Sequence, residues 1–365
     1  MTAEQGKGPG AKFGFTSSVK DDVWLPGKGP EGYEWWYFDA LSDSERESIV
    51  VIFLDNFIFS PRYNALNRRP ERNGLEPRSE SFPAVAFFFY RDGKPLYRCI
   101  NEFPAENFSA DPEWPHCEIG SSSFRFEQTP YGERYLVDVK APMRRGKTLR
   151  ARFEWLSVES DLLPDAEAAG SGHFWNLVSS RSDVTGKIEI LDSGGKCAEE
   201  VDFRGTGYHD HNRDSRWLPD AVSEWTWGRV HFTDSTAVFY DYHGTDPSEN
   251  VSSLLIASEN GLERKPAEFE ARATRRDLFG LKYPSRFRIT TEDGLRLSVN
   301  DVSVIDSSFF YTRFLFDAAL EAGDGALRQS CGMGEFLAPG KLKSALLDPL
   351  INMRIGRDGK PALLS

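Results

Sequence analysis

The chain is dominated by short runs of β-branched and aromatic residues, such as EWWYFDAL, AVAFFFYR and STAVFYDY. Turn-forming dipeptides separate these runs, among them Asp92-Gly93, Asn260-Gly261 and Asp293-Gly294. Runs spaced in this regular way are typical of antiparallel sandwiches and up-and-down barrels, and they do not fit alternating strand and helix units. The sequence therefore predicts an all-β protein.

Two features subdivide the predicted all-β chain. The stretch DSGGK at 192–196 favours a boundary between two β-domains, 1–195 and 196–365. One short C-terminal helix is predicted over 341–353, where apolar residues recur with partial helical spacing although Pro349 interrupts it. The charged segment 64–81 and the acidic segment 162–172 are predicted to be loops.

Composition narrows the classes of partner. The net charge of -12 argues against nucleic-acid binding, which needs a basic surface. It also disfavours simple electrostatic attachment to anionic lipid, but it is compatible with transient contact at a membrane surface to collect an apolar substrate. The first 14 residues lack the apolar region of a signal peptide, and the four cysteines form no CxxC pair. We therefore expect a cytoplasmic protein.

The segment YEWWYFD at 33–39 places two carboxylates among aromatic residues. If it is a strand, the odd-numbered residues share one face and the even-numbered residues the other, so Glu34 and Asp39 each lie beside aromatic rings. Burial there would raise the pKa of either carboxyl group, which suits a proton donor. The alternative is a structural ion pair, with an arginine as the partner.

A second polar segment, GTGYHDHN at 205–212, holds two of the six histidines. On a strand, Tyr208, Asp210 and Asn212 would face one way, and His209 and His211 the other. A histidine and aspartate pair can act as a proton donor with an orienting partner. A metal site would need a third ligand that the spacing does not supply, so no metal is expected.

The segment EWTWGR at 224–229 comes shortly after and carries two tryptophans. Trp225 and Trp227 would share a strand face with Arg229 and His231. The rings could form a cation–π stack in the core, or they could stabilise a carbocation in a substrate. No GxSxG, GxGxxG or Walker sequence is present, so neither nucleophilic catalysis nor a nucleotide cofactor is expected.

Together these segments resemble the carotenoid 1,2-hydratase (hydroxyneurosporene synthase) family. EGYEWWYFDALSD with IVVIFLDNFIFSPRYN is similar to the N-terminal signature of that family, and GTGYHDHN with EWTWGRVHF to its second signature. HFWNLVSSRSDVTGKIEI resembles the strand that precedes the second signature. The resemblance covers residues 32–336.

The resemblance implies two lipocalin-like β-domains, with a ligand site in or between them, and chemistry on apolar isoprenoids or polyenes without a cofactor. Two activities are known in the wider superfamily, water addition to a terminal alkene and pericyclic cyclisation by lipocalin-like Diels–Alderases. A lipid carrier without activity is a third interpretation, in which the polar residues are structural. We favour the hydratase.

For a hydratase, a protonated acid must contact the alkene. Asp210 is the first choice, held by His209 or His211, and Glu34 and Asp39 are alternatives. Aromatic rings would stabilise the carbocation, and Asn212 or Tyr208 would hold the attacking water. The residues expected to bind the substrate are Trp35, Trp36, Tyr37, Tyr208, Asn212, Trp225 and Trp227.

Overall fold

Antiparallel strands make up most of the computed structural model, and they form two sheets. The predicted all-β class is confirmed. The structure describes residues 13–69, 81–130, 132–163, 172–322 and 325–364.

The first sheet holds thirteen strands and curls around its own apolar core. Its members are β1 (Gly14–Thr16), β2 (Tyr33–Ser42), β3 (Glu47–Leu54), β4 (Ala84–Arg91), β5 (Lys94–Glu102), β6 (Phe108–Ala110), β7 (His116–Ile119), β8 (Ser122–Thr129), β9 (Gly132–Pro142), β10 (Thr148–Ser160), β11 (Phe174–Leu191), β12 (Cys197–Asp214) and, from the C-terminal segment, β21 (Gly356–Arg357). The spatial order is β21-β5-β4-β3-β2-β12-β11-β10-β9-β8-β7-β6, and β1 pairs in parallel with β11.

The second sheet is a closed barrel of eight strands. They are β13 (Val222–His231), β14 (Ser235–Gly244), β15 (Val251–Ser258), β16 (Gly261–Arg276), β17 (Lys282–Thr291), β18 (Arg296–Ser307), β19 (Tyr311–Glu321) and β20 (Leu327–Leu337). Phenylalanine rings fill its interior: Phe239 lies over Gly228 and Phe316 over Gly332, where an added Cβ would come within 2.5 Å and 2.4 Å of the rings. The barrel is therefore a packed core and leaves little room for a ligand inside.

A third apolar cluster joins the two sheets. It combines one face of β2, β3 and β4 with outward-facing side chains of the barrel, including Trp225, Trp227 and Tyr240. Of the aromatic residues that the sequence analysis selected on β2 and β13, Trp35, Tyr37, Trp225 and Trp227 meet in this layer, because each strand directs every second side chain towards it.

The helices are short. They are α1 (Pro61–Asn67), α2 (Leu218–Ala221) and α3 (Asp348–Asn352), with 3-10 turns at Ala105–Asn107, Arg144–Gly146, Pro247–Glu249, Pro339–Lys343 and Ala345–Leu347. The predicted helix over 341–353 is wrong in extent, because the segment is divided into two 3-10 turns and α3. Pro349 lacks an amide N–H and its ring would clash with the carbonyl four residues earlier in an α-helix, so it is tolerated only in the first turn of α3.

The predicted loop at 64–81 is wrong in its first part. Residues 61–67 form α1, whose first turn is capped by the Ser60 hydroxyl, which accepts from the backbone N–H groups of Arg62 and Tyr63. Residues 70–80 of that segment, 164–171 of the second predicted loop and the first 12 residues lie outside the described residues.

The change from the first sheet to the barrel occurs at residues 215–221, because β12 pairs with both β11 and β2 in the first sheet. A sheet boundary is not a domain boundary, so the division at 195/196 stays a prediction. In the described parts of the chain, no helix has the length and apolar character that would let it cross a membrane.

Gly205 is needed where β12 approaches β2. A Cβ at this position would lie 2.0 Å from the carbonyl oxygen of Leu41, a backbone atom that cannot move alone. We expect Gly205→Ala to lower the free energy of unfolding by about 1 to 3 kcal/mol, the usual cost of overpacking a fixed site. Urea denaturation of the variant and of Gly340→Ala measures the effect. Gly340 is the matched control, because a Cβ there meets nothing within 4 Å. Equal midpoints for the two variants would contradict the assignment.

Candidate active site

The pairing of β2 with β12 separates the polar residues of the two segments onto two faces. Tyr37 is opposite Asp210, and Phe38 is opposite His209. The side chains of His209, His211, Glu34 and Trp36 point into the curled sheet, whereas those of Asp210 and Asn212 face the barrel. The histidines therefore do not hold Asp210.

Inside the curled sheet the histidines form a buried network with acids. His209 donates from Nε2 to Asp22 Oδ2 at 3.0 Å, and His211 donates from Nε2 to Glu34 Oε1 at 2.7 Å. His211 Nδ1 lies 3.3 Å from Asp22 Oδ1. The Tyr135 hydroxyl donates to Asp22 at 2.6 Å. Each of these side chains is inaccessible to solvent.

Lysine closes the network on its other side. Lys28 Nζ lies 2.5 Å from Glu34 Oε2 and 2.7 Å from Asp55 Oδ2. Two aromatic rings cover the imidazoles: Phe38 stacks on His209 at 3.8 Å and Trp36 on His211 at 4.7 Å between ring centroids. The charged groups of the network thus lie against opposite charges, as buried charges must, and aromatic rings cover the two imidazoles.

The network keeps its charges. Burial of Asp22 opposes ionisation, but the charges of and hydrogen bonds from His209 and His211 outweigh it and lower the pKa of Asp22 to about 2. Burial also opposes the ionisation of Glu34, but His211 and Lys28 outweigh it and lower the pKa of Glu34. Burial works against the His211 cation, but its acidic partners raise the pKa of His211. Glu34 is therefore a poor proton donor at neutral pH.

Asp210, on the other face, has a different environment. Its Oδ2 accepts from Trp175 Nε1 at 3.1 Å and from the Tyr208 hydroxyl at 2.8 Å, and its Oδ1 accepts from Asn212 Nδ2 at 2.9 Å. Burial disfavours the anion more than these donors favour it, and Glu335 and Asp39 add repulsion, so the pKa of Asp210 rises to about 8. A neutral carboxylic acid is the major form at pH 7.

An inner pocket of about 30 Å³ adjoins Asp210. Several of the residues expected to bind substrate are among those that line it, whereas Tyr208 lies behind it as a buried donor to Asp210. The rings approach one another closely, with centroids 6.1 Å apart for Trp35 and Trp225 and 5.4 Å apart for Tyr37 and Trp227. The lining consists of Trp35, Tyr37, Trp175, Asp210, Asn212, Trp225, Trp227, Tyr240 and Glu335.

An outer cavity of about 130 Å³ continues from the inner pocket between the first sheet and the barrel. The two share Trp35, Tyr37, Trp225 and Glu335 as lining residues. The walls of the outer cavity are mainly apolar, and they include Ile52, Leu54, Phe57, Ile58, Phe88, Ile100, Phe310, Leu337 and Ile351. This arrangement can hold an apolar chain with its end against Asp210.

Asp39 lies near the same layer but is already paired. Arg229 donates from Nε to Asp39 Oδ1 at 2.9 Å and makes a second, shorter contact with the same oxygen. Both side chains are fully buried. Burial raises the pKa of Asp39 although Arg229 opposes the shift. Asp39 does not line either cavity, which matches the ion-pair interpretation of this residue.

Sequence reasoning missed several residues of the site. Trp175 and Tyr240 sit on strands that the sequence does not connect to Asp210, and Glu335 lies in GMGEF on β20. Glu335 accepts from Arg313 Nε at 2.9 Å and from the Tyr311 hydroxyl. The alternation of FWN at the start of β11, which points Trp175 towards the layer of Asp210, was the one available signal.

His173 is a further buried residue of the layer. Its Nε2 lies 3.1 Å from the Tyr240 hydroxyl, and its Nδ1 lies 3.4 Å from the Tyr33 hydroxyl. Burial, with the charge of Arg216, lowers the pKa of His173 to about 3, so this imidazole is neutral at pH 7.

Potential metal ligands cluster elsewhere. Among the described residues, the one group of three or more that could hold an ion is Glu189, Cys197 and Glu200, at the exposed ends of β11 and β12. His209 and His211 direct their Nε2 atoms at the carboxylates of Asp22 and Glu34.

The buried network should be essential for stability. We expect Asp22→Asn to lower the free energy of unfolding by about 3 to 5 kcal/mol, because it leaves buried partners without their counter-charge. The pKa of Asp22 is about 2 when folded against 3.8 for an unperturbed aspartate, so its contribution is complete above about pH 4 and is lost as pH falls towards 2. Urea denaturation at pH 6 and pH 3 measures both effects.

Asp21→Asn is the control for this experiment. Asp21 is the neighbour in sequence, but its carboxylate is partly exposed, and from the described residues it accepts one long bond of 3.4 Å, from Thr16. A cost for Asp22→Asn no larger than that for Asp21→Asn at pH 6 would show that the network is not needed for folding.

The family model of the carotenoid hydratase CrtC matches residues 119–362. The chain is 25% identical over 363 residues to the hydroxyneurosporene dehydrogenase of Chlorobaculum tepidum, covering 96% of this chain and 94% of that protein. It is 26% identical over 321 residues to the acyclic carotenoid 1,2-hydratase of Thiocapsa roseopersicina, covering 85% of this chain and 71% of that protein.

Two solved structures have the same lipocalin-like fold. An AttH protein of Nitrosomonas europaea has a TM-score of 0.54 at 16% identity, covering 88% of this chain and 99% of that one. CghA, crystallised with Sch210972, has a TM-score of 0.54 at 10% identity, covering 88% and 94%. Since the family model spans about two thirds of the sequence, the chain belongs to the CrtC carotenoid hydratase family and is an enzyme of the hydro-lyase class.

Proposed function

We propose that this enzyme adds water to the terminal double bond of an acyclic carotenoid or another isoprenoid, with neutral Asp210 as the general acid and without a cofactor. One observation carries the proposal: a buried carboxyl group with a pKa of about 8 lies in an aromatic pocket at the end of an apolar cavity. The names of the family and of the carotenoid 1,2-hydratase relatives support the choice of substrate.

The pKa of Asp210 fits the first step. An alkene is a very weak base, so the proton donor must be neutral and must contact the carbon that receives the proton. After proton transfer, Trp175, Tyr208 and Asn212 already point donors at the new carboxylate. These donors need no reorientation, which is the condition for effective electrostatic stabilisation.

The aromatic lining suits the second species, a tertiary carbocation. Trp35, Trp225 and Trp227 offer π-faces within the inner pocket, and the rings of Tyr37, Trp175 and Tyr240 also line it. A desolvated cation over such a face gains about 1 to 2 kcal/mol per ring. Trp36 stacks on His211 inside the curled sheet, so we assign it no contact with substrate.

For the last step we propose that Asn212 and Glu335 hold the attacking water. Both line the inner pocket with Asp210. Trp227 also lines it, and its buried Nε1 has no hydrogen-bond partner among the described residues, so it can donate to the same water. The water oxygen bonds to the tertiary carbon, and one water proton returns to the Asp210 carboxylate. The enzyme is then in its starting state.

The remaining residues selected from the sequence receive supporting roles in this proposal. His209, His211 and Glu34 belong to the charged network inside the curled sheet, and Asp39 is paired with Arg229. We propose that they fix the position of β2 against β12, and with it the position of Asp210, and that they do not transfer protons to substrate.

Asp210→Asn should abolish most hydration. Asparagine keeps the shape of the side chain and, after an amide flip, can still accept from Trp175 and Tyr208, but it has no acidic proton. We expect kcat to fall about a hundredfold to ten-thousandfold, the usual contribution of a general acid. Acyclic carotenoids and shorter prenyl alkenes in oxygen-18 water, analysed by mass spectrometry, report the labelled tertiary alcohol.

Two results would contradict the assignment. Undiminished labelling by Asp210→Asn would exclude Asp210 as the acid, and substrate consumed at unchanged mass by the wild type would indicate a cyclase. Asp183→Asn, on β11 and exposed, is the control, because it removes a carboxylate far from the cavity lining. Matching thermal melting of all three proteins separates loss of chemistry from loss of folding.

The pH profile of kcat provides an independent test. With a pKa of about 8 for Asp210, activity should be constant below pH 7 and should fall about tenfold per pH unit above pH 8, as the acid loses its proton. The Tyr208 hydrogen bond lowers the pKa of Asp210, so Tyr208→Phe should move the alkaline limb to higher pH. A limb that stays in place in Tyr208→Phe would indicate another titrating group.

A further inference from the structure

The outer cavity opens into a vestibule of about 720 Å³. The two share Asp306, Phe309 and Arg354 among their lining residues, so the vestibule is the approach to the cavity. Two segments that are far apart in the sequence meet there, the turn between β16 and β17 at 277–281 and the C-terminal segment at 348–364. A substrate that reaches the outer cavity by this route passes between the two segments.

Exposed leucines are concentrated at this opening. Of the eleven large apolar side chains that are exposed among the described residues, three line the vestibule, namely Leu278, Leu350 and Leu364. Two more are close to them in sequence, Leu346 four residues before Leu350 and Leu363 beside Leu364. Exposed apolar side chains that are scattered singly are normal on a protein surface, whereas a group of them around one opening marks an interaction site.

Leu278 is the most exposed of these residues, at 99% accessible, and the turn that carries it is well fixed. The Oδ1 atom of Asp277 accepts from the backbone N–H groups of Phe279 at 2.9 Å and Leu281 at 2.8 Å. Phe279 packs against Phe309, with ring centroids 4.8 Å apart, and Leu281 is buried. The turn thus packs two of its apolar side chains against the protein and holds the third, Leu278, out in water.

Basic residues flank the exposed leucine. Arg275 and Arg276 end β16 before the turn, Lys282 begins β17 after it, and all three are exposed. Asp277 is the one acid within 275–282, so this stretch is net positive with the full charge of Asp277 counted, although the chain carries -12. Apolar side chains between basic ones suit a phospholipid bilayer, because the apolar groups reach the acyl boundary while the basic groups lie near the phosphates.

We propose that the rim of the vestibule docks on a phospholipid bilayer, so that an apolar substrate passes from the bilayer into the outer cavity without crossing water. The rim is defined as Leu278, Leu346, Leu350, Leu363 and Leu364. The proposal rests on the proposed function for the nature of the substrate only. A carotenoid hydrocarbon in water costs free energy in proportion to its apolar area, so an apolar route from lipid to cavity is the favourable one.

A second copy of the chain fits this rim less well than a bilayer does. Two copies that met symmetrically through the rim would bring the same basic residues together, Arg275, Arg276 and Lys282 of each. Like charges that face each other in an interface are unfavourable. Such a pair would also close the opening that leads to the cavity. A bilayer, in contrast, offers acyl chains to the leucines and phosphates to the basic side chains.

Sedimentation with lipid vesicles tests the docking without any substrate. The probes are vesicles of phosphatidylcholine alone and of phosphatidylcholine mixed with phosphatidylglycerol. We expect the wild type to bind both, and to bind the mixed vesicles more tightly because of the basic residues beside Leu278. Leu278→Ser should weaken binding to either kind of vesicle at least tenfold, a difference of about 1.4 kcal/mol. Its thermal melting should match that of the wild type, because the Leu278 side chain is almost fully exposed.

Leu327→Ser is the matched control. Leu327 is also exposed, at 61%, but it begins β20 and does not line the vestibule. We expect this variant to bind vesicles as the wild type does. Asp210→Asn should also bind vesicles as the wild type does, although hydration is lost, so failure of the docking and failure of the proposed function are distinguishable.

Three results would overturn the proposal. Wild-type protein that sediments with neither kind of vesicle would show that the rim does not dock on lipid. Vesicle binding that Leu278→Ser and Leu327→Ser reduce equally, or that neither reduces, would place the contact outside the rim. A dimer that Leu278→Ser converts to a monomer, without vesicle binding by the wild type, would assign the leucines to a second copy of the chain.

Discussion

The pairing of β2 with β12 is the constraint on which the site depends. Because side chains alternate along each strand, Glu34 on β2 faces the interior of the curled sheet, whereas Asp210 on β12 faces the barrel. Inside the curled sheet, Asp22 and Glu34 meet His209, His211 and Lys28, and they stay ionised. On the barrel side, Asp210 meets only neutral donors. A shift of one residue in the pairing would exchange these environments.

Asp22 and Asp210 differ in whether cations contact the carboxylate, not in the extent of burial. Asp22, Asp39 and Asp210 are all buried, yet burial raises the pKa of Asp210 to about 8, whereas the histidines lower that of Asp22 to about 2. Asp39 has one cation, Arg229, and its pKa is raised, but it has no access to the cavities. Asp210 alone of the three combines a neutral form with a place in the pocket lining.

Local periodicity in the sequence was enough to predict which side chains share a strand face. Alternation placed Tyr208, Asp210 and Asn212 together, opposite to His209 and His211, and it placed Trp225 and Trp227 on one face. It could not find Asp22, Lys28, Trp175 or Glu335, because these residues reach the site through sheet register and connections far apart in the chain. The C-terminal helix was predicted too long because apolar spacing was given more weight than Pro349; the helix itself is present as α3. The predicted contact between Asp210 and the histidines was wrong, because the same alternation puts Asp210 on the opposite strand face from His209 and His211.

The size of the inner pocket connects the pKa of Asp210 to the proposed reaction. At about 30 Å³ it has room for one or two water molecules beside the aromatic rings. More water would solvate the Asp210 anion and lower its pKa, and the acid would then be ionised at pH 7. An entirely dry pocket would leave the carbocation without a nucleophile, so it would return a proton and the alkene would re-form. A hydratase of this design therefore needs a pocket small enough to keep its acid neutral and large enough to admit one water, and the tryptophans of β2 and β13 set that size.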